Sequence, residues 1–424
     1  MSSAALTWLQ RKGMQDSFLT QDPEVTPWRF QFKRYTNFSF KVEELTFNGS
    51  GAGKTLSLLI PKGADLLSNL MAVFKLPAIV PDYANGSTAV SWVANVGQVG
   101  IQEIRFDAGG ATLLRVFGEQ LVIDSELNGS SQHDLAEMVG RYKTRAALIQ
   151  RAKSPSVLYV PLGMYFSETP GLAYPLINSQ YTDLKVTVML RPMSQLWLSY
   201  GNPQAVPLIK GTCKQVSDTD LHMSLFGKFV YLEGRERMTF AKNMSEQLIV
   251  QNQTTGEHYF QINGSQNNVQ KVLLNYSHPV KYITWVIQSS TAKQQKNWSN
   301  YASESGTHLL SSANLRIEND PLYAQNKGAN FFHNVIPYCH FNKQPELAIY
   351  AISFANNAST VVPEGTLNWS RVDNITLDLV LSKEASEVNK GRHPDDCVTY
   401  SITSYAKNYN VARFISGLVG IAYS

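Results

Sequence analysis

The stretch NGSGAGKT, residues 48–55, has the residue types of a phosphate cradle. In a P-loop, a glycine-rich turn aims backbone N–H groups at phosphate oxygens, a lysine reaches the outer phosphates, and a Ser or Thr holds Mg2+. Gly53, Lys54 and Thr55 could end that pattern, but its spacing requires glycine where Asn48 stands. The pattern also requires a helix next. The residues after Thr55 are instead LSLLIPKG, a short apolar run closed by Pro61 and Gly63, which reads as a strand and turn. The segment is expected to be a hairpin tip with Lys54 a loop residue.

Other constellations are weaker. HNVIPYCH brings His333, Cys339 and His340 together in sequence, and HPDDC adds His393, Asp395, Asp396 and Cys397. Structural zinc sites pair their ligands about two to four residues apart in each half, and neither cluster does. Scattered loop residues are the simpler reading, and no metal or cofactor is expected. No G-x-S-x-G elbow or local cysteine signature nominates a nucleophile. Carboxylate pairs such as Glu43 and Glu44, or Asp395 and Asp396, could serve glycoside hydrolysis only by facing one bond together, and adjacent strand residues point to opposite faces. The chain is read as non-enzymatic.

The 7 Trp, 20 Tyr and 19 Phe could build a sugar or base platform. Trp92 in VSWVANVG and Trp285 in KYITWVIQ sit inside apolar runs, however, which is where core residues sit. Twelve N-x-[ST] sequons occur. Most read as Asn-rich turns, and Asn85, Asn263, Asn297 and Asn357 are the candidate glycan-attachment positions.

These residues must be carried by elements, and period-two alternation dominates. In DLKVTVMLRP, Leu184, Val186, Val188 and Leu190 share one face; in NITLDLVLS, Ile375, Leu377, Leu379 and Leu381 do. Further strands are expected at NFSFKVEEL, TLSLLI, IQEIRF, SVLYVPL, GKFVYL, EHYFQI, KYITWVIQ and AIYAISFA, separated by Gly, Pro and Asn turns. Helical periodicity is confined to DLAEMVGRYKTRAALIQ, with Leu135, Met138, Val139, Tyr142 and Ile149, and to RERMTFAKNMSEQLI, with Met238, Ala241 and Leu248. The pattern is that of an all-β sandwich protein with a few inserted helices.

A length of 424 residues suggests about two domains. SQYTDLKVTVML at 179–190 aligns with SRVDNITLDLVL at 370–381, an offset of 191 residues, so two copies of one β domain are expected. The organisation is an arm at 1–24, a first domain at 25–192, a linker at 193–215 and a second domain at 216–424. A net charge of +4 and an arm holding only Arg11 and Lys12 against Asp16, Asp22 and Glu24 exclude a basic packaging tail. Three separated cysteines, Cys213, Cys339 and Cys397, point to free thiols and a reducing compartment. No apolar run reaches 18 residues, and MSSAALTWLQRKG lacks the plan of a secretory signal.

Several stretches together resemble the major capsid proteins of the nucleocytoplasmic large DNA viruses, of phycodnavirus and iridovirus type. In QDSFLTQDPEVTPWRFQFKRYTNFSFKVEELTFNGS the matching residues are Gln15, Asp16, Leu19, Thr20, Pro23, Glu24, Thr26, Arg34, Thr36, Asn37, Phe38 and Ser39. WVANVGQVGIQEIRFDAGG, LYVPLGMYFSETPGLAYPLINSQY, FVYLEGRERMTFA and HPVKYITWVIQ continue it in the family's order. GTLNWSRVDNITLDL and NYNVARFISGLVGIAYS close the match, which spans nearly the whole chain.

The resemblance implies two tandem eight-stranded antiparallel jelly-roll sandwiches per chain and a homotrimer of pseudo-sixfold outline that tiles an icosahedral shell. It also implies an extended N-terminal arm beneath the trimer. Neighbouring capsomers, minor capsid and penton proteins, and internal membrane-associated proteins are the partners it implies, with no sequence-specific nucleic-acid binding. A minor capsid protein, or a glycan-binding attachment protein of the same fold, is the alternative. The extreme N-terminus, Pro27 and Trp28, and VPEGTLNWSR depart from the family pattern.

Overall fold

The computed structural model describes residues 3–423 apart from 84–85, 130–134, 143, 202–206, 208–212, 215–216, 243, 262–268, 383–384, 386–387 and 389–396. It divides into two units, Met1–Asn37 and Phe38–Ser424.

The first unit holds helices α1 (Ser3–Gln10) and α2 (Met14–Thr20), followed by irregular chain. Where an extended arm was expected, the structure has helices. Ala4, Ala5, Leu6 and Leu9 are strong helix formers, and with no described residue of the unit buried, local propensity decides. The Asp16 carboxylate accepts the Gly13 N–H at 2.9 Å and so closes the start of α2.

The second unit is built from sixteen principal strands. The first eight are β1 (Phe38–Thr46), β2 (Thr55–Leu59), β3 (Leu66–Leu76), β4 (Ile101–Ala108), β5 (Ala111–Phe117), β6 (Ser156–Pro161), β7 (Leu184–Leu190) and β8 (His222–Leu232). They pair antiparallel in two sheets, β1-β8-β3-β6 and β2-β7-β4-β5. The next eight are β9 (Ser245–Gln261), β10 (Val269–Leu273), β11 (Pro279–Ser289), β12 (Leu310–Ile317), β13 (Asp320–Pro321), β14 (Tyr350–Ser353), β15 (Ile375–Leu381) and β16 (Thr399–Ile415). Their sheets are β9-β16-β11-β14 and β10-β15-β12-β13. Counted within each set of eight, the order is the same: first, eighth, third, sixth against second, seventh, fourth, fifth. This is the jelly-roll arrangement. The two stretches related by the 191-residue offset end in β7 and β15, which occupy the same place in their rolls.

The expected partition at 193–215 needs correction. Residues 202–206, 208–212 and 215 of that linker lie outside the described residues. Beyond it, β8 lies between β1 and β3, with Leu225 opposite both Leu45 and Ala72. The first roll therefore takes its last strand from the far side of the expected boundary. An antiparallel sheet needs its central strand, and Leu225 and Phe229 are buried in the first core.

Both expected helices are shorter than their periodicity implies. DLAEMVGRYKTRAALIQ forms one turn at Ala136–Val139 and a separate helix, Arg145–Ala152, capped by Thr144. Gly140, at φ 78°, ends the first. In the second stretch only Gly234–Lys242 is helical; Met238 is exposed, and Leu248 lies on β9.

The rolls are joined by more than chain connectivity. β9 and β16 are 17 residues each, and their far ends supply Ile249, Val250, Tyr409, Ala412 and Phe414 to the first roll's core. Helix α3 (Gly118–Leu127) places Ile123 and Leu127 against Tyr282, Val286 and Tyr405. Across the same seam Lys407 Nζ lies 3.0 Å from the Asp124 carboxylate, and the Tyr405 hydroxyl donates to Glu119 at 2.6 Å. A final short strand, Leu418–Ile421, folds back on β16. There Gly417 O accepts from Tyr181 N at 3.0 Å, and the Val419 N–H donates to the Thr182 hydroxyl at 3.1 Å.

Candidate functional site: assembly surfaces

The glycine-rich loop resolves the first question the sequence raises. Residues 55–59 form β2, so no helix points at residues 48–55. Three of the loop's N–H groups are committed to the protein itself: Asn48 donates to Ser57 O, Ala52 to Asp218 O at 2.7 Å, and Gly53 to Arg191 O at 3.0 Å. Among the described residues Lys54 Nζ reaches only Ser50 O, at 3.4 Å. With those three bonded inward and a strand where a helix is required, the loop lacks the build of a phosphate cradle. It is not the expected hairpin tip, because β1 and β2 do not pair: the loop carries the chain from one sheet of the first roll to the other.

The His and Cys residues do not converge either. His333 Nδ1 lies 3.1 Å from Ile349 O, and His340 Nδ1 lies 3.0 Å from Asn356 O. The neighbour of His333 is His308, with rings 4.7 Å apart, rather than Cys339. His393, Asp395 and Asp396 lie outside the described residues. Among the described residues no group of three metal-ligating side chains forms. The adjacent carboxylates part company as the strand geometry requires. Glu43 pairs with Lys41, whereas Glu44 takes the Ser224 hydroxyl at 2.6 Å and Lys75 at 3.1 Å, which together hold its carboxyl below the usual range. Trp92 and Trp285 are core residues.

Of the four candidate glycan positions, Asn85 and Asn263 lie outside the described residues. Asn297 is exposed, while its sequon partner Ser299 is buried against Asn95 Nδ2 at 3.3 Å. Asn357 is half-buried, with its side-chain oxygen accepting the Ser359 N–H at 3.0 Å.

The surface does offer apolar area. On β1 the alternation FSFKVEEL runs opposite to that of a half-buried strand. Ser39, Lys41, Glu43 and Leu45 share the face of the core residues Leu225 and Phe229, whereas Phe38, Phe40 and Val42 face outward. Phe40 is 57% exposed, and the Lys228 ammonium stands 4.3 Å from its ring centroid. At the other edge of this sheet, Val157 and Tyr159 of β6 are exposed as well. A second apolar region surrounds a groove lined by Tyr181, Met244 and Ile415. An outward row of Phe, Phe and Val on a strand is unusual for a surface that stays in water and marks a contact surface.

Comparison with known proteins fits a role in assembly. The family of large eukaryotic DNA virus major capsid proteins matches residues 236–420, and that of the major capsid protein N-terminus matches residues 26–233. The chain belongs to the major capsid proteins of large eukaryotic DNA viruses. The major capsid protein of Paramecium bursaria Chlorella virus 1 is 28% identical, with both chains covered in full. That of Phaeocystis pouchetii virus is 27% identical, again over the full length of both. Capsid protein 1 of Acanthamoeba polyphaga mimivirus is 31% identical over 67% of this chain and 48% of its own. Among solved structures, the quasi-atomic model of the PBCV-1 virus capsid superposes with a TM-score of 0.74 at 24% identity, covering 94% of this chain and all of that one. The Faustovirus major capsid protein gives 0.66 at 12% identity, with 94% of each chain covered. The fold of this capsid protein is the double jelly roll, and its place is the virion capsid.

Proposed function

We propose that three copies of this capsid protein form a pseudo-hexameric homotrimer, and that these capsomers tile the icosahedral shell of a large double-stranded DNA virus. One observation carries the reading. Each chain holds two rolls of identical strand order, so a threefold ring presents six near-equivalent sandwiches. The outward apolar row of β1 supports it, because Phe38, Phe40 and Val42 would be covered in a trimer and are not in a lone chain. The role is structural rather than catalytic, with synthesis in the host cytoplasm.

Neighbouring capsomers, minor capsid and penton proteins, and internal membrane-associated proteins are the proposed partners, with the N-terminal segment as one contact. We place the division between the rolls at 233–236, where the two family matches meet. Of the glycan candidates, exposed Asn297 is the position most open to modification.

Native mass spectrometry of the purified chain tests the trimer. A dominant species at three times 47.3 kDa, about 142 kDa, is expected. A stable monomer at micromolar concentration would overturn the reading and return the glycan-binding alternative.

A further inference from the structure

The seam between the rolls contains a cavity of about 330 Å3, walled by α3 on one side and by β11 and β16 on the other. Two lysines line it, Lys281 and Lys407, both under a tenth exposed. A buried ammonium costs free energy unless it is paired and its hydrogens are used. Lys407 meets that condition through Asp124 at 3.0 Å. Lys281 does not. Its Nζ donates to Thr360 O, and neither a carboxylate nor a second acceptor lies within bonding distance of it among the described residues. An ammonium has three donors, so two remain.

Glu168, which also lines the cavity, is exposed, and the buried amide and hydroxyl groups of the wall are already engaged. Gln98 Nε2 donates to Leu121 O, Asn128 Nδ2 to the Tyr282 hydroxyl, and the Ser359 hydroxyl to Asn128 Oδ1. Tyr282 in turn donates to Asp124. The cavity thus has one uncommitted cation, and the remaining wall includes Leu121, Val250, Ala358 and Val361, which are apolar. A bare inorganic anion would leave most of that wall uncovered. A small molecule with a carboxylate head and a short hydrocarbon body would use both features.

We propose that this cavity binds an amphipathic organic carboxylate, its head paired with Lys281 and its body lying against Leu121, Val250 and Val361, so that it bridges the two rolls. Burial, and then the neighbouring Lys407 ammonium, lower the Lys281 pKa to about 8. The charges that act on it come from every side: Lys407 on β16, Asp124 on α3, Glu168 from the helical turn Tyr165–Glu168, and Glu364 from a loop. The Tyr409 ring lies 5.7 Å from its ammonium. Only the charged form can hold the carboxylate, so affinity falls once pH passes the lysine's pKa.

The test is calorimetric titration of the full-length protein with octanoate, 1-octanol and inorganic phosphate in turn. Octanoate is expected to bind one per chain and to raise the thermal midpoint saturably. Lys281→Met should weaken it at least about 10-fold, the size of a lost charged hydrogen bond. Affinity in the unmutated protein should also drop between pH 7 and pH 10, a readout that needs no variant. Equal binding of 1-octanol, binding of phosphate but not octanoate, or octanoate affinity that is unchanged by Lys281→Met or across that pH range would each overturn the proposal. The site does not depend on trimer formation, so the two readings fail separately.

Discussion

The two rolls share a topology but not a style of construction. In the first, both sheets have a full set of strands, and the interior is apolar: Phe106 packs on Phe166 and Tyr174 with ring centroids 5.4 and 5.6 Å apart. In the second, the fifth strand shrinks to Asp320–Pro321, while the first and last grow to 17 residues. Of the two, β16 is buried on both faces along most of its length, whereas β9 is buried only at Ile249, Val250 and Asn252. On β16, Tyr400 and Ile402 enter the second roll's core, whereas Tyr405, Lys407 and Tyr409 face the first roll and its helix. The difference teaches that the second roll's large sheet is a shared wall. It can be polar where it meets the first roll because buried polar groups there have partners, Lys407 in Asp124 and the Tyr405 hydroxyl in Glu119, with Lys281 the exception.

A shared wall implies shared unfolding, and core truncation is the strongest way to break that claim. Trp285 is fully buried between Phe332 and Tyr350 in the second roll, as Phe106 is in the first. Either one changed to Ala should cost about 3–5 kcal/mol. Because Ile249, Tyr409 and Phe414 carry the second roll's strands into the first core, both lesions should lower one common calorimetric transition. Two transitions, with only one moved by each variant, would mean that the rolls are independent domains.

Next in size is the seam itself. Lys407→Met leaves Asp124 with only the Tyr282 hydroxyl, at 3.2 Å, in a site where the carboxylate is mostly buried. A loss of about 3 kcal/mol is expected, read from urea unfolding. Adding Asp124→Asn should recover much of it, since the unpaired charge goes too. If the double variant is as unstable as the single, packing rather than charge pairing holds the seam.

How far the sequence foretells this depends on how many faces of a strand are buried. β7 and β15 alternate because each turns one apolar face to the core and carries polar residues such as Lys185 and Thr376 on the other, and both are legible down to their equivalent positions. β3, LLSNLMAVFKL, is largely buried on both faces and carries no alternation, so periodicity does not reveal it. The sequence TYSITSYAKNYNVARFI of β16 looks too polar for a core strand, and its burial is explained only by the first roll on its outer face. The strand β8 falls on the wrong side of the expected boundary for a related reason, since pairing across a long loop leaves no local trace. The assembly surface is half legible: Phe38, Phe40 and Val42 announce a strand but not which face is dry. The cavity at Lys281 is invisible, because its wall is assembled from separate segments spread between Gln98 and Lys407.

The hairpin at the C-terminus tests the contact between the rolls more gently. Gly417 has φ +81°, and a Cβ there would lie 2.4 Å from the Tyr181 ring. Gly417→Ala should cost about 1–2 kcal/mol for the left-handed backbone alone. The damage should stay local, with faster hydrogen exchange at Leu418–Ile421 and little change in the protection of β7. Loss of protection throughout the first roll would make this hairpin a structural keystone rather than a clasp.

The smallest effect is expected where the sequence looks most like chemistry. Lys54→Ala removes one 3.4 Å contact to Ser50 O and should change stability by no more than about 0.5 kcal/mol. Gly51→Ala, three residues earlier, should cost more. Its φ is +117°, and a Cβ would press to 3.0 Å on the Asp218 carbonyl, the acceptor that holds the loop through Ala52. A phosphate-binding loop would rank the two differently, with the lysine decisive for Mg-nucleotide affinity. Measuring both variants for stability and for Mg-ATP binding therefore separates a glycine kept for a turn from a lysine kept for a ligand. Nucleotide affinity that depends on Lys54 would overturn the structural reading of this loop, whatever the rest of the fold suggests.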